Sequence, residues 1–309
     1  MNTPVLLITF NRPAYVRQMI KALKAAQVSN LYIFKDGPRP NNTADYSASK
    51  EIEDIISSID WECSIKTNYM QNNLGCGYGP YSAISWAFQF ENELIILEDD
   101  CIPTPAFFTF CSDMLKLYKE NQKVSVISGR CQLFDKEVFA DKDYIFTQYA
   151  PTLGWATWKR VWVGFDIQMR NLKDFIKSGG FSDQFGSKKE CNYMNRRFKR
   201  DINDRNLLTH AWDNQFGYYS RMNGSLRILP AKNLIRYIGI EGTHSGAGTE
   251  KLLDFDVCEA FAAIRHPDRI TINKKYDKIY FYKYIYGPLT KADKIYFAVK
   301  NKLSRIIPK

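Results

Sequence analysis

The chain has 309 residues, 45% of them hydrophobic and 25% charged, with a formal net charge of +10. That length suits about two domains with a substantial buried core, and no apolar run approaches the roughly 18 residues of a membrane-spanning helix. Between Thr271 and Lys309 ten Lys/Arg face only Asp277 and Asp293, so most of the surplus charge lies in the last stretch. This argues against a nucleic-acid-binding face on the nearly neutral body.

Val5-Leu6-Leu7-Ile8-Thr9-Phe10 is a predicted strand, too short for a signal peptide, which assigns the chain to the cytoplasm. Asn11-Arg12-Pro13 follows, with Asn11 as the expected N-cap and Pro13 in the first turn of a helix marked by Val16, Met19, Ile20 and Leu23. Leu31-Tyr32-Ile33-Phe34 is the next strand, ended by Lys35-Asp36-Gly37-Pro38, and Ile52, Ile55, Ile56 and Ile59 mark a second helix. A short strand around Ile65 leads to a glycine-rich loop, Asn72 to Pro80, and a helix carrying Ala83, Ile84, Ala87 and Phe88.

Leu94-Ile95-Ile96-Leu97 then reads as a strand buried on both faces, followed by Glu98-Asp99-Asp100, after which Pro103 and Pro105 take the chain out of the sheet. Another helix (Phe107 to Tyr118) and strand (Val124 to Ser128) complete a βα rhythm that predicts a Rossmann-like, mainly parallel sheet flanked by helices. Ligands of such sheets bind outside the carboxyl ends of the strands. Asn11, Asp36, the glycine loop and the three acids all fall at that rim.

Each feature has a plainer alternative. The three acids are either a solvated turn or oxygen ligands for a hard divalent cation. The glycine loop with Gly75 is a tight turn or a ligand-approach loop, and it lacks the GK[ST] of a P-loop. Asp36 is an Asx-turn residue or an acceptor for a base or ribose. After about residue 149 the rhythm changes. Trp155, Trp158 and Trp162 are aromatic core or a sugar platform. Asp213 beside Trp212 is a helix N-cap or a general base, and His244 is a surface histidine or a ligand. Seven scattered cysteines contain no CxxC pair.

Taken in order, the strand before Asn11-Arg12-Pro13, Lys35-Asp36-Gly37-Pro38, Asn73-Leu74-Gly75, Leu97-Glu98-Asp99-Asp100, Gly154 to Trp158, Trp212-Asp213 and Thr243-His244 resemble a GT-A-fold glycosyltransferase. The likeness is to bacterial family-2-like sugar transferases and to the N-acetylglucosaminyltransferase I type, over about residues 3 to 250. It implies a nucleotide-sugar-binding domain (1–150), an acceptor-binding and catalytic-base part (151–265) and a basic amphipathic tail (266–309). On this resemblance Asp100 binds Mn²⁺ or Mg²⁺, with His244 as a further ligand. Glu98 and Asp99 contact the donor's ribose or sugar, and Asp36 reads the base. The backbone around Phe10, Asn11 and Arg12 cradles the nucleoside, Gly75 is a further donor-binding residue, Trp155 shapes the sugar pocket, and Asp213 is the catalytic base. Asn214 stands where the eukaryotic enzymes have a second acid.

The implied activity is metal-dependent, inverting transfer from a nucleotide diphosphate sugar, UDP-linked and GlcNAc-type, to a glycan or lipid-linked acceptor in surface polysaccharide or lipopolysaccharide synthesis. Basic, partly apolar Lys291 to Lys309 either docks on the body or lies on the inner face of the plasma membrane. The rival readings are a sugar-1-phosphate nucleotidyltransferase, which would carry a GxGTR-like signature after the first strand, and a non-catalytic nucleotide-sugar- or glycan-binding module.

Overall fold

In a computed structural model the protein is described over residues 1–181, 185, 187–203, 212–239, 256–261 and 263–286. The first half is β1 (Val5–Thr9), α1 (Pro13–Ala25), β2 (Asn30–Lys35), α2 (Thr43–Ser57), β3 (Ser64–Tyr69), α3 (Gly75–Ala87), β4 (Glu93–Glu98), β5 (Cys101–Pro103), α4 (Pro105–Leu117) and β6 (Val124–Ser128). The remainder holds α5 (Lys136–Phe139), β7 (Tyr144–Thr147), β8 (Trp155–Trp158), α6 (Lys159–Trp162), α7 (Leu172–Lys177), α8 (Lys188–Asn203) and α9 (Asp213–Met222). β9 (Leu226–Pro230), β10 (Ile235–Tyr237), α10 (Lys274–Tyr280) and a π-helical turn (Phe281–Tyr286) complete it.

β1 to β4 form the parallel core that the βα rhythm predicts, in the order β3-β2-β1-β4. β1 and the Leu94–Leu97 run of β4 are buried, as strands covered by helices on both faces must be. This is the Rossmann-like, mainly parallel α/β class expected from the sequence. The sheet then departs from simple alternation. β8 enters antiparallel between β4 and β6, and β9 and β7 extend the same sheet beyond β6. Strands from both sides of residue 150 therefore share one sheet.

Two local expectations need correction. Asn11 does not cap α1: Arg12 holds that position, while the Asn11 amide donates to Asp45 Oδ1 at 2.8 Å. The Asn11 side chain is thus tied to α2 rather than to the start of α1, and Arg12 faces the acids. Pro103 does take the chain out of the main sheet, but β5 pairs at once with β10 in a second, two-stranded sheet. That pairing, with Ile238 N–H donating to the Asp100 carbonyl at 2.9 Å, clamps the chain directly after the three acids.

The glycine-rich stretch is also not a free loop. Gly75, Gly77 and Gly79 lie in the opening turns of α3, with Pro80 inside the helix. Residues 266–286, the start of the expected basic tail, pack on the body: Tyr276 and Phe281 pack with Leu229 and Ile145, and Asp277 accepts from the Thr147 hydroxyl and the Gln148 backbone N–H. The stretch from Lys291 lies outside the described residues, as does His244. Among the described residues no helix is long and apolar enough to cross a membrane.

Gly154, at φ +63°, turns the chain into β8, and a Cβ there would collide with Ile235 Cδ1. Gly154→Ala combines a left-handed backbone with that collision and should destabilise the fold by about 1–3 kcal/mol. Urea unfolding should show this as a lower midpoint at unchanged slope.

Candidate active site

The carboxyl ends of β1, β2 and β4 and the start of α3 form one wall of a cavity of about 870 Å³. Residues from α8, α9, β9 and the turn after α10 form the facing wall. Phe10, Asn11, Arg12, Asp36, Gly75, Glu98, Asp99, Asp100 and Asp213 all line this one space. Trp155 does not. It is buried at 1% exposure and stacks on Trp212 at 5.5 Å, and it is Trp212 that reaches the cavity.

The three acids come together because β4 ends there and β5 turns away immediately. Arg12 spans two of them, paired with Asp99 and, at 3.0 Å, with Asp100. Burial works against the Arg12 charge, but Asp99 and Asp100 outweigh it and raise its pKa. Asp99 is pushed up to about 7, chiefly by burial, with Arg12 opposing and Asp100 adding to the shift. Glu98 rises well above the usual carboxylate range, first from burial and then from the charges of Asp100 and Asp99. Asp213 also contributes to that rise, so the two sides of the cavity are in electrostatic contact.

Among the described residues Asp99 Oδ2 is buried with no hydrogen-bond partner, an acceptor that a cation would satisfy. Glu98, Asp99 and Asp100 offer only oxygen, the donor type of Mg²⁺ or Mn²⁺. Among the described residues no three His, Cys, Asp or Glu gather closely enough to hold an ion by themselves. The set thus fits an ion whose other ligands come from a substrate's phosphates, the usual habit of Mg²⁺.

Asp36 is buried and fully engaged. Oδ1 accepts from the N–H groups of Gly37 (2.9 Å) and Leu74 (2.8 Å), and Oδ2 from the Asn73 amide (3.0 Å) and Gly75 N–H (3.1 Å). These four bonds fill the lone-pair positions of a carboxylate. Asp36 holds the start of α3 against β2, and contact with a base would require one of the four to be exchanged. Burial raises its pKa, opposed by the Leu74, Gly37 and Gly75 amides. In Asp36→Asn the new amide group would face N–H donors. The variant should lose about 1–3 kcal/mol of stability and weaken ligand binding at the loop, as read by thermal unfolding and by calorimetry on the same sample.

Asn11 and Arg39 are both anchored by Asp45, whose carboxylate takes Arg39 Nε at 2.6 Å and Nη2 at 2.9 Å. The Arg39 hydrogen bond leads, against burial, in holding Asp45 down at about 2. The Arg39 guanidinium lies 5.5 Å from the centre of the Phe10 ring, and both line the cavity. Arg39 is a residue the sequence reading missed; its only signal was its place just beyond Asp36-Gly37-Pro38.

Asp213 is the first residue of α9 and is exposed to the cavity. Trp212, wedged against Trp155 and Trp162, fixes where that helix begins. Asp213 Oδ1 accepts from Asn214 N–H at 2.9 Å, and Oδ2 makes no hydrogen bond among the described residues. Asn214 accepts from Arg197 at 2.9 Å. Gly217 and Arg221, one and two steps of four further along the helix, also line the cavity, as does Arg227 of β9.

No protein-family model matches the chain, and no curated protein does either. Among solved structures, the galactosyltransferase LgtC in complex with donor and acceptor sugar analogues is 9% identical, over 81% of this chain and 94% of that one, with a TM-score of 0.38. UDP-glucose pyrophosphorylase complexed with UDP-glucose is 14% identical over 48% of this chain, with a TM-score of 0.27. A cytidylyltransferase from Leptospira borgpetersenii is 10% identical over 54% of this chain, with a TM-score of 0.32. The match spans 63% and 64% of the lengths of those two proteins.

Proposed function

We propose that the protein is a metal-dependent, inverting glycosyltransferase that takes a sugar from a nucleoside-diphosphate donor. On the sequence resemblance the donor is UDP-linked and GlcNAc-type, and the acceptor is a glycan or lipid-linked glycan of surface polysaccharide or lipopolysaccharide synthesis. The observation that carries this reading is a single cavity with the acids of residues 98–100 and Arg12 in one wall and Asp213 in the other. Asp100, with Glu98, Asp99 and His244 as further candidates, would hold Mn²⁺ or Mg²⁺, which when bound acts as a Lewis acid toward a diphosphate.

The chain's own groups account for the remaining steps. Arg12 places a fixed cation beside the site where the leaving diphosphate gathers charge. Phe10 and Arg39 offer a ring and a guanidinium as flat surfaces for a base. Asp213 has an oxygen at the cavity without a hydrogen bond among the described residues, and it takes the proton of an acceptor hydroxyl. The acceptor oxygen bonds to the anomeric carbon as the carbon–oxygen bond to the diphosphate breaks, so one displacement inverts the centre.

A thermal-shift screen of nucleotide sugars with Mn²⁺ tests the reading. A ligand at a hundredfold excess over its Kd stabilises by about 2.7 kcal/mol, so one nucleotide family should stand out as a raised Tm. A flat response across every nucleotide sugar, with and without Mn²⁺, would contradict it.

A further inference from the structure

The wall built by α9 and β9 holds two buried guanidiniums, Arg221 at 5% and Arg227 at 6% exposure. Arg221 donates to the carbonyls of Gly217 (3.2 Å) and Gln148 (3.0 Å). Arg227 donates to the Ala150 carbonyl (2.8 Å) and the Ser220 hydroxyl (3.4 Å). All four acceptors are neutral, and among the described residues no carboxylate forms an ion pair with either arginine. Of the carboxylates in their surroundings, Glu190 is held by the Tyr149 hydroxyl and Asp277 by Thr147 and the Gln148 N–H, while Asp277 and Asp213 reach Arg221 and Arg227 through their charge alone. Among the described residues Arg221 Nε is buried without a hydrogen-bond partner.

Both cations border one open patch. A side-chain carbon at Gly217 would lie 3.5 Å from Arg221 Nη1 and 3.7 Å from Arg227 Nη2, and the glycine leaves that space to the cavity. Two like charges held together out of water with neutral partners are unfavourable unless an anion joins them. Burial and then the Arg221 charge lower Arg227 to about 9, in keeping with that strain. Beside them the Tyr149 ring lies 4.6 Å beneath the Arg221 guanidinium and stacks on Tyr280 at 5.4 Å, and both tyrosines line the cavity. Flat apolar faces next to cations suit a ring that carries a negative substituent.

We propose that Arg221 and Arg227 form an anion subsite for the acceptor, which selects a sugar bearing a carboxylate or phosphate. The inference rests on the transferase reading, in which Asp213 deprotonates the acceptor hydroxyl. Asp213, Gly217 and Arg221 follow at intervals of four and so share a helix face. Asp213 and Arg221 are about 12 Å apart along the axis, and the Arg221 side chain reaches back toward Gly217, which leaves room for a sugar between the two groups.

The test uses methyl glucuronide, glucose 6-phosphate, neutral methyl glucoside and inorganic phosphate as calorimetric probes of the full chain. Wild type should bind both anionic sugars about tenfold or more tightly than methyl glucoside, the scale of one charge-assisted hydrogen bond. That preference should vanish in Arg221→Gln and in Gly217→Leu, which fills the patch against both guanidiniums while leaving their charges in place. UDP binding with Mn²⁺ should be unchanged in both variants. Equal binding of neutral and anionic sugars overturns the proposal, as does a preference that survives in the Gly217→Leu protein. Inorganic phosphate binding as tightly as glucose 6-phosphate overturns the acceptor assignment. Loss of UDP binding in wild type with the anionic-sugar preference intact would sink the transferase reading alone.

Discussion

Asp213→Asn is expected to lower turnover by about two to four orders of magnitude, the usual share of a general base, with donor affinity nearly intact. The amide is isosteric and its oxygen can still accept from Asn214 N–H, so α9 keeps its first turn. What is lost is the oxygen at the cavity that accepts a proton. A residue that merely starts the helix would behave differently, lowering Tm and leaving the rate of the folded enzyme alone. Steady-state kinetics and thermal unfolding on the same preparation separate the two, and near-normal turnover would remove Asp213 from the scheme.

Asp100→Ala is expected to abolish the Mn²⁺-dependent part of UDP binding, with calorimetry in Mn²⁺ and in EDTA giving the same weak isotherm. A pH dependence accompanies this. Asp99 titrates at about 7 and Glu98 above its ordinary range when folded, whereas both lose their protons near pH 4 when unfolded. Raised folded-state pKa values mean that the folded chain holds more protons in between. Their contribution to stability is therefore full below about pH 4 and is lost as pH rises through 7. The unliganded protein should melt at a lower temperature at pH 8 than at pH 5.5. Asp277, also at about 7, adds to the same slope away from the acids, so the diagnostic part is the one ligand changes. Ligation needs the deprotonated acids, so Mn²⁺ with UDP should bind more tightly at pH 8 than at pH 6. Asp99→Asn should flatten that gain.

The parallel core was legible because β1, β2 and β4 are short apolar runs ended by polar turns, and helices of the right period separate them. The rim position of residues 98–100 followed from that alone. β8 was not legible as a central strand. Gly154 to Trp158 reads locally as an aromatic patch, and its place between β4 and β6 depends on pairings with Ile96 and Ser128, which are distant in sequence. Three glycines and a proline hid the start of α3, since both residue types disfavour helix. Asp36 overrides that by accepting the first N–H groups, an anion where the helix dipole favours one.

On the facing wall the spacing of Asp213, Gly217 and Arg221 was visible in the sequence. An arginine on a helix ordinarily reads as a solvated charge, however, and only the fold shows this one buried. Trp155 was read toward the sugar pocket, and the structure instead seats it beneath Trp212.

In the proposed reaction the acids of residues 98–100 and Asp213 face one substrate across one cavity. A crystal structure of the protein with Mn²⁺ and its preferred nucleotide sugar tests it most directly. The diphosphate is predicted beside Asp100 and Arg12, with the anomeric carbon turned toward Asp213. A diphosphate bound elsewhere, or an anomeric carbon turned away from residue 213, would contradict it.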